Sequence, residues 1–220
     1  MYRKEFFLLL AAALMLFAVV ATISSMMTRA LQHEAQMVVT DTLPGLINSG
    51  TAMSRMSDNW QNIRLLTELP NAAARSNLIV HIHTNSTEKL WKQYAESLFD
   101  PQDKLLFERT LTTRSNCLVL VQTYYQLVND QKLEEARQYR TLTLEPMYRE
   151  YKEDAKSLFE LNTAVGEQRA RHIITLTRWL PWLAGLFFVL VFAFGVVVGL
   201  KGAFGSLVFA SRRREAPKKN

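Results

Sequence analysis

Two stretches without a charged residue, Phe6 to Thr28 and Trp179 to Leu200, constrain this chain more than anything else in it. Each is long enough to cross a bilayer, since ~20 apolar residues carry a helix through ~30 Å of hydrocarbon. Lipid offers backbone N–H and C=O groups no water, so a spanning segment of this length must be a helix. The expected fold is all-α, with a first transmembrane helix at 6–28, a helical domain at 29–178 and a second transmembrane helix at 179–200. Residues 1–5 and a basic tail at 201–220 flank them.

Charge orients this arrangement. The segment 29–178 carries 18 Lys and Arg against 18 Asp and Glu, so the net +6 of the chain resides entirely in its ends. Basic residues just outside a span mark the cytoplasmic side, and both flanks qualify. Both termini are therefore expected inside and 29–178 outside, in a two-pass plasma-membrane topology. Arg212, Arg213 and Arg214 in the tail are expected to hold anionic lipid headgroups. Trp179 and Trp182 are expected to anchor the outer interface. With no basic patch on the folded part, a nucleic-acid partner is not expected. The basic start and Val19-Val-Ala21 also fit a cleaved signal peptide, but such apolar cores usually run only 7–15 residues, and a retained span is the preferred reading.

Residues 29–178 read as helix throughout. Glycine is scarce (Gly45, Gly50, Gly166), and no window alternates as a strand does. Pro70-Asn71, Asp100-Pro101 and Asn129-Asp130 are the breaks, with Asn71 and Asp100 placed as N-caps and Pro101 at the first helical position. They predict four helices at about 29–69, 72–99, 101–128 and 131–178. Heptad spacing (Leu106, Thr110, Thr113, Cys117, Leu120, Tyr124, Leu127 in the third) predicts an antiparallel four-helix bundle with knobs-into-holes seams. The outer helices should be continuous with the spans. On the first, the small and polar seam of Thr42, Gly45, Ser49 and Ala52 makes a poor core for two helices alone, which predicts a homodimer through that helix.

The stretches Thr42-Leu-Pro-Gly-Leu46 with Trp60-Gln-Asn-Ile-Arg64, Trp91-Lys-Gln-Tyr94, Leu133-Glu-Glu-Ala136 and Leu158-Phe-Glu-Leu-Asn162 carry a resemblance. Together with the span–bundle–span plan over residues 1–200, the chain resembles the periplasmic four-helix-bundle sensory module of methyl-accepting chemotaxis receptors. The resemblance implies an inner-membrane sensor with a periplasmic bundle. Such receptors continue into a HAMP linker and a cytoplasmic signalling coiled coil, whereas 20 residues follow Leu200 here. The output is therefore expected to reside on a separate signalling partner or complex. The alternative is a non-catalytic accessory subunit of a larger membrane complex, its bundle a docking platform.

The resemblance also implies arginines that grip a ligand carboxylate, a geometry guanidinium suits well. Arg64, Arg55 and Arg75 are the candidates, with Trp60 as a pocket wall. His81 and His83 are two apart on a helix and diverge, so no metal is expected. Neither a nucleophile constellation nor a phosphate loop appears, and neither enzyme activity nor a cofactor is expected. The single Cys117 sits among apolar neighbours and reads as a buried packing group. Asn85-Ser-Thr87 matches a glycosylation sequon. Gly195, Gly199 and Gly202 form a small-residue strip for close helix packing in the membrane. Pro181 is expected to loosen the start of the second span.

Overall fold

The computed structural model describes residues 2–98 and 100–214, with side chains described over 7–8, 10–98 and 100–197. Every regular element among the described residues is helical. The chain divides into two units, 35–170 and a second formed by 1–34 with 171–220.

Unit 35–170 is the bundle. Its first helix is α2 (Leu43–Leu65) and its second is the pair α3 (Ala72–Thr84) and α4 (Glu88–Ala95). The third is α5 (Pro101–Asn129), and the fourth begins as α6 (Leu133–Tyr139) and continues into α7 (Glu145–Arg214). The helix before α2 is α1 (Tyr2–Met37). Two wide turns of π-helix, Val38–Thr42 and Arg140–Leu144, join α1 to α2 and α6 to α7.

Both π turns have one cause. Leu43 N–H reaches back five residues to Val38 O, and Pro44 follows it. Glu145 N–H reaches Arg140 O in the same way, and Pro146 follows. A proline inside a helix lacks a donor and its ring collides with the carbonyl four residues earlier. Opening one turn to π geometry relieves that collision without ending the helix.

The two predicted N-caps hold, while α2 ends at Leu65, short of the predicted 69. The Asn71 side chain accepts from Ala74 N at 2.7 Å and starts α3. Asp100 does the same for α5 through Gln102 N at 2.7 Å. The third break is a Schellman turn: Lys132 N bonds Leu127 O and Gln131 N bonds Val128 O. Gln131 occupies the left-handed position with φ 62°, where glycine is usual. At the C-terminus of α2 three arginines satisfy carbonyls that helix geometry leaves open. Arg140 donates to Arg64 O, Arg137 to Thr67 O and Arg75 to Leu69 O.

Two expectations need correction. The second helix is not continuous over 72–99: it breaks at Asn85–Thr87, and α4 ends at Ala95. The small seam of the first helix is a core after all, because α7 covers it. A Cβ on Gly45 would overlap Asn162 Oδ1, and one on Gly166 would lie 2.9 Å from Thr42 Cγ2. Small residues there allow close approach of two helices within one chain.

In the second unit, α1 and the later part of α7 pack Phe17 edge-on against Phe187, ring centroids 5.2 Å apart. His172 Nδ1 lies 3.0 Å from Glu34 Oε1. Both helices are long and apolar enough to cross a membrane. Most of their large apolar side chains, Leu14, Met15, Phe188 and Phe192 among them, are exposed. The helix continues through Pro181.

Candidate functional site

One concavity lies inside the bundle, where all four helices contribute to a cavity of about 120 Å³. Met56, Asn59, Trp60 and Ile63 come from α2, Ile82 and His83 from α3, and Ser86 and Thr87 from the break. Cys117, Val121 and Tyr125 of α5 and Tyr148 and Tyr151 of α7 complete the wall, with Arg114, Leu118 and Gln122 at its edge.

The break in the second helix belongs to this cavity. Arg55 Nη1 donates to Ser86 O at 2.9 Å. Asn59 and Asn85 bond reciprocally: Asn59 Nδ2 donates to Asn85 O, and Asn85 Nδ2 donates to Asn59 Oδ1, each at 3.1 Å. Carbonyls released by the break are thus taken up by α2, and unbonded buried carbonyls are avoided. Ser86 Oγ accepts from Glu88 N and restarts the helix.

Three tyrosines in the wall differ in their bonding. Tyr148 Oη donates to Met56 O at 3.1 Å. Tyr151 Oη accepts from Trp91 Nε1 at 2.8 Å and lies 3.4 Å from Thr87 Oγ1. Tyr125 is only 4% exposed, yet its hydroxyl has no hydrogen-bond partner among the described residues. Burial pushes its pKa up, as it does those of Tyr148 and Cys117, both raised to about 12. All are neutral at physiological pH, and the basic side chains of the lining, Arg114 and His83, stand at its edge.

A buried polar layer lies elsewhere in the bundle. Tyr94 donates to Asp103 Oδ1, and Asn162 Nδ2 donates to Tyr94 Oη and to Leu158 O. Desolvation raises the pKa of Asp103, partly offset by the Tyr94 bond. Desolvation likewise raises that of Asp41, which lies in the first π turn, against the opposing pull of Arg169 at 3.0 Å. Thr42 Oγ1 and Arg169 Nη1, both in this region, are unpaired among the described residues.

A family model described as a four helix bundle sensory module for signal transduction matches residues 3–175. The chain belongs to that family. It is a family of signalling modules rather than of catalytic domains. Neither a curated protein nor a solved structure matches the chain.

The residues singled out in the sequence do not converge in this sensory module. Trp60 walls the cavity and stacks on Tyr148, centroids 4.3 Å apart and planes 9° from parallel. Arg55 pins the break, Arg75 is buried and caps α2, and the Arg64 side chain is exposed. His81 is exposed, while His83 meets the Tyr125 ring edge-on. Trp179 and Trp182 are exposed. A Cβ on Gly195 would meet nothing within 4 Å. Gly199 and Gly202 lie in α7, and their surroundings, like the side chains of Arg212, Arg213 and Arg214, fall outside the residues whose side chains are described.

Sequence reasoning missed the cavity and the π turns. The signals were present as Asn85-Ser86-Thr87, a run of helix-breaking side chains, and as Pro44 and Pro146 inside apolar helical patterns.

Proposed function

We propose that the chain is a transmembrane sensory module that takes up a signal in its bundle outside the cytoplasm and hands it to a separate protein inside. The observation that carries this reading is the continuity of helix: α1 and α7 leave the bundle residues and run on as helix through the two apolar segments. Rearrangements of such helices of ~1–2 Å are the usual scale of signal transmission. Lys201 and the basic tail, with Arg3 and Lys4, support both termini being cytoplasmic. Arg212, Arg213 and Arg214 on anionic lipid, Trp179 and Trp182 at the interface, and Gly195, Gly199 and Gly202 against a neighbouring helix belong to this proposal.

A second copy docked along the first long helix is supported by a different face from the seam. Val39, Leu43 and Ile47, four residues apart, are exposed apolar side chains in one stripe. The accessory-subunit alternative calls for an exposed apolar stripe on the second helix. Among the described residues of α3 and α4 only Val80 is an exposed large apolar side chain, which favours sensing.

Cysteine labelling tests the topology, because the native Cys117 is buried and its thiol is held neutral. In intact cells an impermeant maleimide is expected to label Ser76→Cys, and to label Tyr2→Cys only after permeabilisation. The reverse pattern would overturn the orientation. Cross-linking in the native membrane before mild-detergent purification is expected to recover a signalling protein in fixed stoichiometry. Recovery of this chain alone would overturn the coupling.

A further inference from the structure

The cavity inside the bundle has the physical character of a small-molecule site, and the sensory reading above does not say what it takes. Its walls are mainly aromatic and aliphatic, with Asn59, Ser86 and Thr87 as polar groups beside the break and His83, Arg114 and Gln122 at the edge. A mostly apolar lining with a limited polar set is the usual make-up of ligand pockets between bundle helices. Its volume of about 120 Å³ approaches the ~150 Å³ at which a dry apolar cavity holds benzene. The exposed residues His83, Leu118 and Gln122 at its edge belong to α3 and α5, so a ligand enters between those helices, beside the break.

Tyr125 sets what the ligand must carry. Folding normally pairs a buried hydroxyl, because stripping it of water without a partner is costly. Tyr148 and Tyr151 obey that rule and Tyr125 does not. A phenol hydroxyl held neutral by burial is a donor, and the group that fits it is a hydrogen-bond acceptor. Trp60, stacked on Tyr148, presents a flat wall on which a ring packs.

We propose that this cavity binds a small uncharged molecule, of about one aromatic ring, that carries a single hydrogen-bond acceptor taken by the Tyr125 hydroxyl. The proposal rests on the sensory reading only for its biological purpose; the site lies within one chain and needs no second copy.

The full chain in nanodiscs is titrated with benzamide, which has the acceptor, and with toluene, which lacks it. The Trp60 indole N–H resonance reports occupancy by NMR. Benzamide is expected to bind more tightly than toluene. Tyr125→Phe should weaken benzamide by about five- to tenfold, the worth of one net hydrogen bond, and leave toluene unchanged. Cys117→Leu, which fills the cavity, should remove both. A Trp60 signal that moves with neither probe overturns the proposal, as does a Tyr125→Phe protein that keeps its preference for benzamide. If Tyr125→Phe does not fold, loss of binding in Cys117→Leu decides, and binding retained there overturns the site. Silent probes with a signalling partner still captured would sink the cavity alone, whereas bound probes without a partner would sink the coupling alone.

Discussion

Gly45 and Asn162 show how a single side chain can set the spacing of two helices. Asn162 is pinned by its bonds to Tyr94 and Leu158, so it cannot yield to a new methyl group at position 45. Gly45→Ala is expected to destabilise the full chain by ~1–3 kcal/mol through overpacking, read by thermal unfolding in detergent. Asp103 makes the complementary point about charge. Its pKa is raised in the fold above the ordinary 3.8. The stability this carboxyl contributes is therefore fully present below 3.8 and is lost as pH rises through the raised value. Asp41, raised for the same reason, acts with the same sign. Lowering the pH from neutral toward that window should raise the bundle's stability through these two groups. Asp103→Asn should flatten the pH profile; an unchanged profile would show that the carboxyl is not desolvated.

At the scale of elements, prolines and polar triplets shape the helices more than propensity does. Pro44 and Pro146 each sit just after a π turn, and the helix survives both. The Asn85–Thr87 break is stabilised from α2 by Arg55 and Asn59, so it belongs to the tertiary fold rather than to a loop. The turn after α5 holds a non-glycine residue in the left-handed region at Gln131. An L-residue there costs ~1–2 kcal/mol, so Gln131→Gly is expected to stabilise the bundle by about 1 kcal/mol, measured by urea unfolding. A neutral or destabilising result would mean that Gln131 makes compensating contacts.

For the whole molecule, the proposed transmission rests on the helices α1 and α7 that run on through the two apolar segments. The exposed stripe of Val39, Leu43 and Ile47 is the surface on which self-association is proposed. Ile47→Asp should shift the chain in nanodiscs or detergent from dimer to monomer, by light scattering, without changing its unfolding temperature by more than a few degrees. A dimer that persists would place the contact elsewhere.

Much of this was legible in the chain itself. The charge-free runs, the caps at Asn71 and Asp100 and the heptads of α5 depend on nearest neighbours and on period, which are one-dimensional quantities. They were sufficient for an all-helical bundle, its four-helix division and membership of a sensory family. Arg55 and Arg75 are ligand candidates through the family resemblance alone; what their guanidiniums bond in the fold, carbonyls of a helix break and a helix end, depends on residues that are not their neighbours in helical register. The cavity was out of reach for a related reason. Its walls come from four helices far apart in sequence, and an unpaired Tyr125 hydroxyl is defined only by what fails to come near it. The amino-acid sequence alone determined where helices run and which are apolar enough for lipid, because those follow from local chemistry. Only the tertiary structure decided which polar groups are satisfied and which space is left unfilled, because both depend on packing among distant residues.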